Sequence, residues 1–240
     1  MSDSTVVLFD FGGTLDADGV HWAPRFHAAY RAAGGSLEYP AFEPHFTASD
    51  RALERMAGIR GLGFRALIEA QAQLLCRLVP DGGHLQAGVI AERFHTAAVT
   101  VVARNRPILE RLTRRHALGV VSNFTGNLEP CLVELDLRRC FAVVADSAVV
   151  GVEKPDPRIF TETLARLRTP PGRAWMVGDN FETDIRPARA LGMRTCWLAP
   201  LDRTAPAGAV STARIAWLPD VETTLRETDA PCGTGGACTA

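Results

Sequence analysis

Lysine is almost missing from this chain of 240 residues: Lys154 stands alone among 26 basic residues, and the other 25 are arginine. Arginine carries a fixed, planar, spread-out charge, whereas an ammonium is a compact charge that burial and neighbours can tune. Chemistry that needs an amine has one place to happen, unless Lys154 is only a survivor on a solvated loop. Long apolar runs are missing too. Ala97–Ala103 is far shorter than the roughly 20 residues a bilayer helix requires, so no membrane partner is expected. Net charge is close to nothing, -1. That offers no surface for a polyanion and argues against nucleic acid as a partner. The six cysteines form no CxxC pair, and no Cys/His cluster has zinc-like spacing. Four lie in apolar segments as small core residues. Cys232 and Cys238 fall in the final stretch, where a disulfide, a metal clip and a frayed terminus all remain open. The start, Met-Ser-Asp-Ser, lacks the basic residues and apolar stretch of a signal peptide, so a cytoplasmic location is expected.

What is present is an ordinary globular composition, 47% hydrophobic and 22% charged. Thr5 to Phe9 is a short β-branched run that reads as a buried strand ending at Asp10, and Phe11-Gly12-Gly13-Thr14 breaks it as a loop. From Trp22 to Ala103 the pattern is helical, with Leu67, Ala70, Leu74, Leu75 and Leu78 on one face. Pro107 suits the first turn of a helix running to His116. Strands then alternate with helices: strands over Ala117–Val121, Phe141–Ala145, Ala174–Val177, Arg194–Leu198 and Arg214–Leu218, helices over Leu128–Leu137, Asp156 to about Arg168, and Asp184–Leu191. Alternation of this kind predicts an α/β fold, a doubly wound parallel sheet with an inserted all-helical cap. The expected division is a core of residues 1–16 and 104–226, a cap of 17–103, and a disordered tail of 227–240.

Ligands of such sheets bind beyond the carboxyl ends of strands. Asp10, Ser122 and Asp179 stand at such ends, and Gly151-Val152-Glu153-Lys154-Pro155-Asp156 brings the lone lysine. Carboxylates crowded at a strand mouth repel one another unless a hard cation lies between them, and magnesium suits oxygen ligands. A cation, an ammonium and a hydroxyl clamp a phosphoryl group, while a carboxylate can act as nucleophile. Read singly, Asp10 is equally a strand-end cap, Ser122 a helix N-cap, Asp184 a helix-start residue and Lys154 a surface residue.

Taken in order, four segments resemble the motifs of the haloacid dehalogenase superfamily over about residues 5 to 199: Leu8-Phe9-Asp10-Phe11-Gly12-Gly13-Thr14-Leu15, Val120-Val121-Ser122-Asn123, Lys154-Pro155, and Val177-Gly178-Asp179-Asn180-Phe181-Glu182-Thr183-Asp184. The superfamily inserts its cap between the first two motifs, where the helical segment lies. The resemblance implies a magnesium-dependent phosphatase of a small phosphorylated metabolite, working through an aspartyl-phosphate. It implies Asp10 as nucleophile and metal ligand, the Gly12 carbonyl, Asp179 and Asp184 at the metal, and Ser122, Asn123 and Lys154 at the phosphate. Thr14 and Asn123 would support the loop.

One position departs from that pattern. The superfamily's phosphatases carry an acid two residues after the nucleophile, and here stands Gly12. General acid catalysis is typically worth about 10²–10⁴-fold in rate. Four readings stay open: Asp16, Asp18 or His21 replaces it, unless these are plain loop residues; the substrate has a good leaving group; the protein transfers phosphoryl groups; or it only binds a ligand or partner. Schiff-base chemistry from the cap is excluded, because the cap has no lysine. Superfamily dehalogenases also lack the second acid, but Asp179 and Asp184 read as built for magnesium. In the cap, Arg25, Arg51, Arg55, Arg60 and Arg65 would either greet an anionic substrate or lie on solvated helix faces. Trp22, Tyr30, Phe42 and Phe64 read as core.

Overall fold

In the computed structural model, residues 5–229 are described. Six parallel strands form one sheet in the order β3-β2-β1-β4-β5-β6, with β1 Val6–Phe9, β2 Ala117–Ser122, β3 Val143–Asp146, β4 Ala174–Gly178, β5 Arg194–Leu198 and β6 Ala213–Ile215. Every residue of β1 and β4 is buried. That is the demand of a parallel sheet covered on both faces, and it explains runs without alternation such as Val6-Val7-Leu8-Phe9. The chain builds outward from β1 to β2 and β3, then crosses back to β4 on the other side of β1. The reversal leaves a crevice at the carboxyl ends of β1 and β4. Register sets the strand ends level, because Phe9 pairs with both Val120 and Val177.

Between β1 and β2 lie four helices: α1 Trp22–Ala32, α2 Tyr39–Glu54, α3 Phe64–Leu78 and α4 Ala87–Leu112. Each turns an apolar stripe inward, for instance Phe42, Phe46 and Leu53 of α2 and Phe64, Leu67, Ile68 and Leu75 of α3. Phe26 stacks on Phe94 with ring centroids 4.3 Å apart, joining α1 to α4. Full burial of such side chains is worth about 1.5–3 kcal/mol each.

α4 corrects the sequence reading. Pro107 lies inside it rather than opening a new helix. An internal proline forfeits one backbone bond and costs roughly 3 kcal/mol. The buried stripe of Val102, Ile108, Leu109 and Leu112 runs through the break and outweighs it. The expected 103/104 domain boundary therefore passes through the middle of one helix.

The remaining helices are α5 Leu128–Glu134, α6 Ser147–Val150, α7 Pro157–Arg166, α8 Arg186–Ala190 and α9 Val221–Asp229. Asp156 caps α7 by accepting from Arg158 N, with Pro157 at its first turn. Where one helix was expected over Asp184–Leu191, the chain makes a π-helical turn, Phe181–Ile185, before α8. β6 stops at Ile215, and Leu218-Pro219-Asp220 forms a tight turn, since a proline cannot extend the ladder. Residues 227–229 close α9 rather than opening a tail. The rest of the expected tail, with Cys232 and Cys238, lies outside the described residues.

Candidate active site

Asp10 continues the line of β1, its N–H donating to the Val177 carbonyl at 3.0 Å. Its side chain turns into the crevice. Oδ1 accepts from Ser122 Oγ at 2.9 Å and from Lys154 Nζ at 2.6 Å. Lys154 Nζ donates also to Asp184 Oδ1 at 2.6 Å. Asn123 holds the lysine segment, accepting from Lys154 N at 2.7 Å and donating to its carbonyl at 2.9 Å. Asp184 Oδ2 accepts from Asn180 N at 3.0 Å, a bond that the π-helical turn makes possible. Thr14 Oγ1 donates to Asp179 Oδ1 at 3.3 Å. The other oxygen, Asp179 Oδ2, is buried and has no hydrogen-bond partner. Gly13 permits this approach. Its φ is +92°, and a Cβ there would come within 2.7 Å of the Asp179 carboxylate.

Carboxylate oxygens of Asp10, Asp179 and Asp184 all lie within 4.8 Å of one another, and all three residues are buried. One ammonium faces them. Asp10 and Asp184 together outweigh burial and hold the Lys154 ammonium above its ordinary range. Burial, then Asp10 and Asp184, push Asp179 well above the usual carboxylate range. Burial and Asp10 also push Asp184 up, against the pull of Lys154. The lysine is charged, and the surplus is negative. An unpartnered buried acceptor beside three crowded carboxylates fits a hard divalent cation.

Above this floor lies a cavity of about 420 Å³. Core residues including Asp10, Gly12, Ser122, Phe124, Glu153, Lys154 and Asp184 line one side, and Trp22, Phe46, Asp50, Leu53, Glu54 and Leu67 line the other. Trp22, read from the sequence as core, is thus a cavity wall. Its indole covers Gly12, where an added Cβ would meet Nε1 at 3.1 Å.

The three acids weighed as substitutes part company. Asp16 is fully buried and takes hydrogen bonds from Gly13 N at 2.7 Å, Trp22 Nε1 at 2.9 Å and Arg25 Nη1 at 2.7 Å. Asp18 is gripped by both terminal nitrogens of Arg104, at 2.7 and 2.8 Å. Neither lines the cavity. His21 does, with its side chain 50% exposed and Nε2 4.0 Å from Asp179 Oδ2. Of the two readings of the cap arginines, reception of an anionic substrate finds no support: Arg25 is engaged by Asp16, Arg65 pairs with Glu92 and Glu69, and none of the five lines the cavity. Sequence reasoning missed Asp50 and Glu54. Asp50 stands four residues after Phe46 and three before Leu53, and Glu54 four after Asp50; that helical spacing was the signal.

A model of the haloacid dehalogenase-like hydrolases matches residues 5–192. The chain belongs to that family. Within the family, it is 46% identical over 88 residues to mouse haloacid dehalogenase-like hydrolase domain-containing protein 3, a stretch covering 35% of each chain. It is 38% identical over 92 residues to the phosphoserine phosphatase of Thermus thermophilus, covering 38% of this chain and 37% of that one. Matched stretches span about a third to a half of the length of such curated relatives. Among solved structures, a 2-haloacid dehalogenase from Pseudomonas syringae pv. Tomato superposes with a TM-score of 0.55 at 23% identity, over 94% of this chain and 99% of that one. That likeness establishes the shared fold. The family includes phosphatases and dehalogenases, so the choice of reaction falls to this chain's own site.

Proposed function

We propose that this haloacid dehalogenase-like hydrolase is a magnesium-dependent phosphatase of a small phosphomonoester, working through a phosphoaspartyl intermediate on Asp10. The observation that carries the proposal is the Asp10 carboxylate, oriented by Ser122 and Lys154, beside Asp179 Oδ2, which is buried without a hydrogen bond. Magnesium, held by Asp10, Asp179, Asp184 and the Gly12 carbonyl, would neutralise charge on the phosphoryl oxygens. Asp10 Oδ1 is taken by its two donors, which leaves Oδ2 to attack phosphorus. The O–P bond to the leaving group breaks, and the leaving oxygen takes its proton from solvent, since residue 12 has no side chain. Water then attacks phosphorus, inorganic phosphate departs and the carboxylate is restored. Lys154 gives its third N–H to a phosphoryl oxygen, Ser122 turns its single O–H from Asp10 to another once phosphorus is bound, and the Asn123 clamp keeps Lys154 in place.

A second reading has its own support in Gly12: a protein that binds or transfers a phosphoryl group without rapid hydrolysis. No helix among the described residues is long and apolar enough to cross a membrane. We place the enzyme in the cytosol on the four free thiols Cys76, Cys131, Cys140 and Cys196, and assign it no nucleic-acid partner. The test is phosphate release from p-nitrophenyl phosphate and a metabolite panel, with and without Mg²⁺, by the native protein and Asp10→Asn. Turnover that needs both Mg²⁺ and Asp10 supports the phosphatase. Mg²⁺ binding with no release from any ester moves the protein to the second reading.

A further inference from the structure

The cavity has a cap end that its floor does not explain. Phe46, Asp50 and Leu53 follow at steps of four and three residues along α2, and Glu54 lies four beyond Asp50, so one helix face carries all four to the cavity wall. Phe46 and Leu53 are buried, Asp50 is half-buried and Glu54 is exposed. The one buried polar side chain of that stripe, Ser49, is hydrogen-bonded to the Phe46 carbonyl and Gln71, whereas a half-buried acid is out of place for packing alone. Among the described residues neither Asp50 nor Glu54 has a hydrogen-bond or ion-pair partner, and no cation bears on Asp50. Burial, with Glu54 beside it, pushes the Asp50 carboxyl up to about 6. A carboxylate drawn from water without a cation costs stability, and a cationic ligand would offset that cost.

The surroundings agree on the sign of that ligand. The other charged or titratable groups lining the cavity are Asp10, Asp184, Glu153, Lys154 and His21, all from outside α2. Lys154 is already held by two carboxylates at the floor. A second anionic group, reaching from the phosphate toward α2, would meet Asp50 and Glu54 with no cation to balance it. A cation reaching the same way meets two carboxylates and the rings of Trp22, Phe46 and Phe124, whose faces attract positive charge.

We propose that the cap end of the cavity selects phosphomonoesters whose organic group carries an ammonium, with Asp50, aided by Glu54, as the specificity-determining residue. The proposal rests on the phosphatase reading of the floor and deepens it. Three esters of matched reach separate charge from shape: O-phosphoethanolamine, n-propyl phosphate and 2-phosphoglycolate end in an ammonium, a methyl and a carboxylate. Their affinities are measured by calorimetry with Mg²⁺ on the full-length protein, native where none is turned over and Asp10→Asn where one is.

The ammonium ester should bind at least about tenfold tighter than propyl phosphate, as one charged hydrogen bond supplies, with phosphoglycolate the weakest. In Asp50→Asn with Glu54→Gln the ammonium preference should fall to within about twofold, as a charge-based preference must when the charges are gone. Equal affinities, a preference for the carboxylate, or no binding by the ammonium ester would overturn the proposal. So would an ammonium preference that survives the double substitution. Turnover of p-nitrophenyl phosphate reports on the floor separately. Turnover without ammonium preference keeps the phosphatase and removes this inference; ammonium-selective binding with no phosphate release from any ester does the reverse.

Discussion

Gly12 has no side chain, and Trp22 fills the space one would need. A Cβ on Gly12 would lie 3.1 Å from the indole Nε1, 3.4 Å from Cδ1 and 3.6 Å from Cε2. Favourable carbon contacts begin near 3.5 Å, so the ring would have to retreat by a few tenths of an ångström. It has little freedom to do so. Nε1 donates to the buried Asp16 at 2.9 Å, and the rings of Phe94, Phe124 and Phe64 stand at centroid distances of 5.2, 6.0 and 6.1 Å. Overpacking of this kind costs about 1–3 kcal/mol. Replacing a glycine also stiffens the unfolded chain, which returns about 0.4–1 kcal/mol. Gly12→Ala should therefore lose about 1–2 kcal/mol, and Tm should fall by about 2–8 °C for a chain of this size. Trp22→Phe opens the space, so the alanine should be better tolerated in that background, with a coupling of about 1 kcal/mol. Calorimetric melting of the native protein, both single variants and the double variant measures the cycle. A neutral or stabilising Gly12→Ala, or a strictly additive cycle, would refute the steric account.

Other consequences follow from the same contacts. Lys154→Met leaves Asp10 and Asp184 without their buried cation, and should cost about 3–5 kcal/mol in chelator-treated protein, read by urea unfolding. Recovery of part of that loss on adding Mg²⁺ is expected, and an unchanged midpoint in chelator would contradict the clamp. Asp179→Asn should weaken Mg²⁺ binding at least about tenfold by calorimetry, yet stabilise the metal-free protein at neutral pH, because it removes a charge that burial disfavours. Asp16→Ala strands a nearly buried arginine and should cost about 3–5 kcal/mol. Asp18→Ala, whose ion pair with Arg104 is about one-third exposed, should cost about 1 kcal/mol or less. For Asp50, the folded pKa of about 6 lies above the ordinary 3.8 of an exposed aspartate, so the penalty is absent below about pH 4, grows through pH 6 and is complete above it. Asp50→Asn should accordingly stabilise the protein at pH 8 and not at pH 4, by about 1–2 kcal/mol once partial exposure is discounted; a pH-independent effect on urea midpoints would disprove the linkage.

Three parts of the floor were legible because each ends a strand. A short apolar run followed by Asp10, Ser122 or Asp179 states both the residue and its place, and parallel pairing then brings the ends level. Lys154 was legible for a compositional reason, as the one amine among so many guanidinium groups. The cap was not legible in the same way. A helical stripe shows which residues face inward, but not whether they meet a core or a cavity. Trp22 and Phe46 have the same chemistry in either setting, so only three dimensions distinguish wall from core. The loop acids failed for a related reason. Asp16 and Asp18 stand in the expected loop, yet their partners, Arg25 and Arg104, lie 9 and 86 residues away, and no local pattern reports such pairs. Pro107 shows the limit of punctuation: a strong stop signal was overridden by the apolar stripe on either side of it.

Gly12, Trp22 and Asp16 form one arrangement. In a phosphatase with an acid at position 12, that carboxylate would need the space that the indole occupies here. Asp16 takes the indole N–H, and Arg25 balances Asp16, with its guanidinium carbon 4.3 Å from the Phe94 ring centroid. The loop thus exchanges a carboxylate that could move protons for an aromatic wall anchored to α1 and α4. Such a wall lines the cavity that Asp10 also lines. On the proposed phosphatase reading, proton help at the leaving oxygen would be reduced and recognition of the leaving group increased. An enzyme so built favours a substrate that binds by its organic end, and it is at that end that Asp50 and Glu54 wait without a cation.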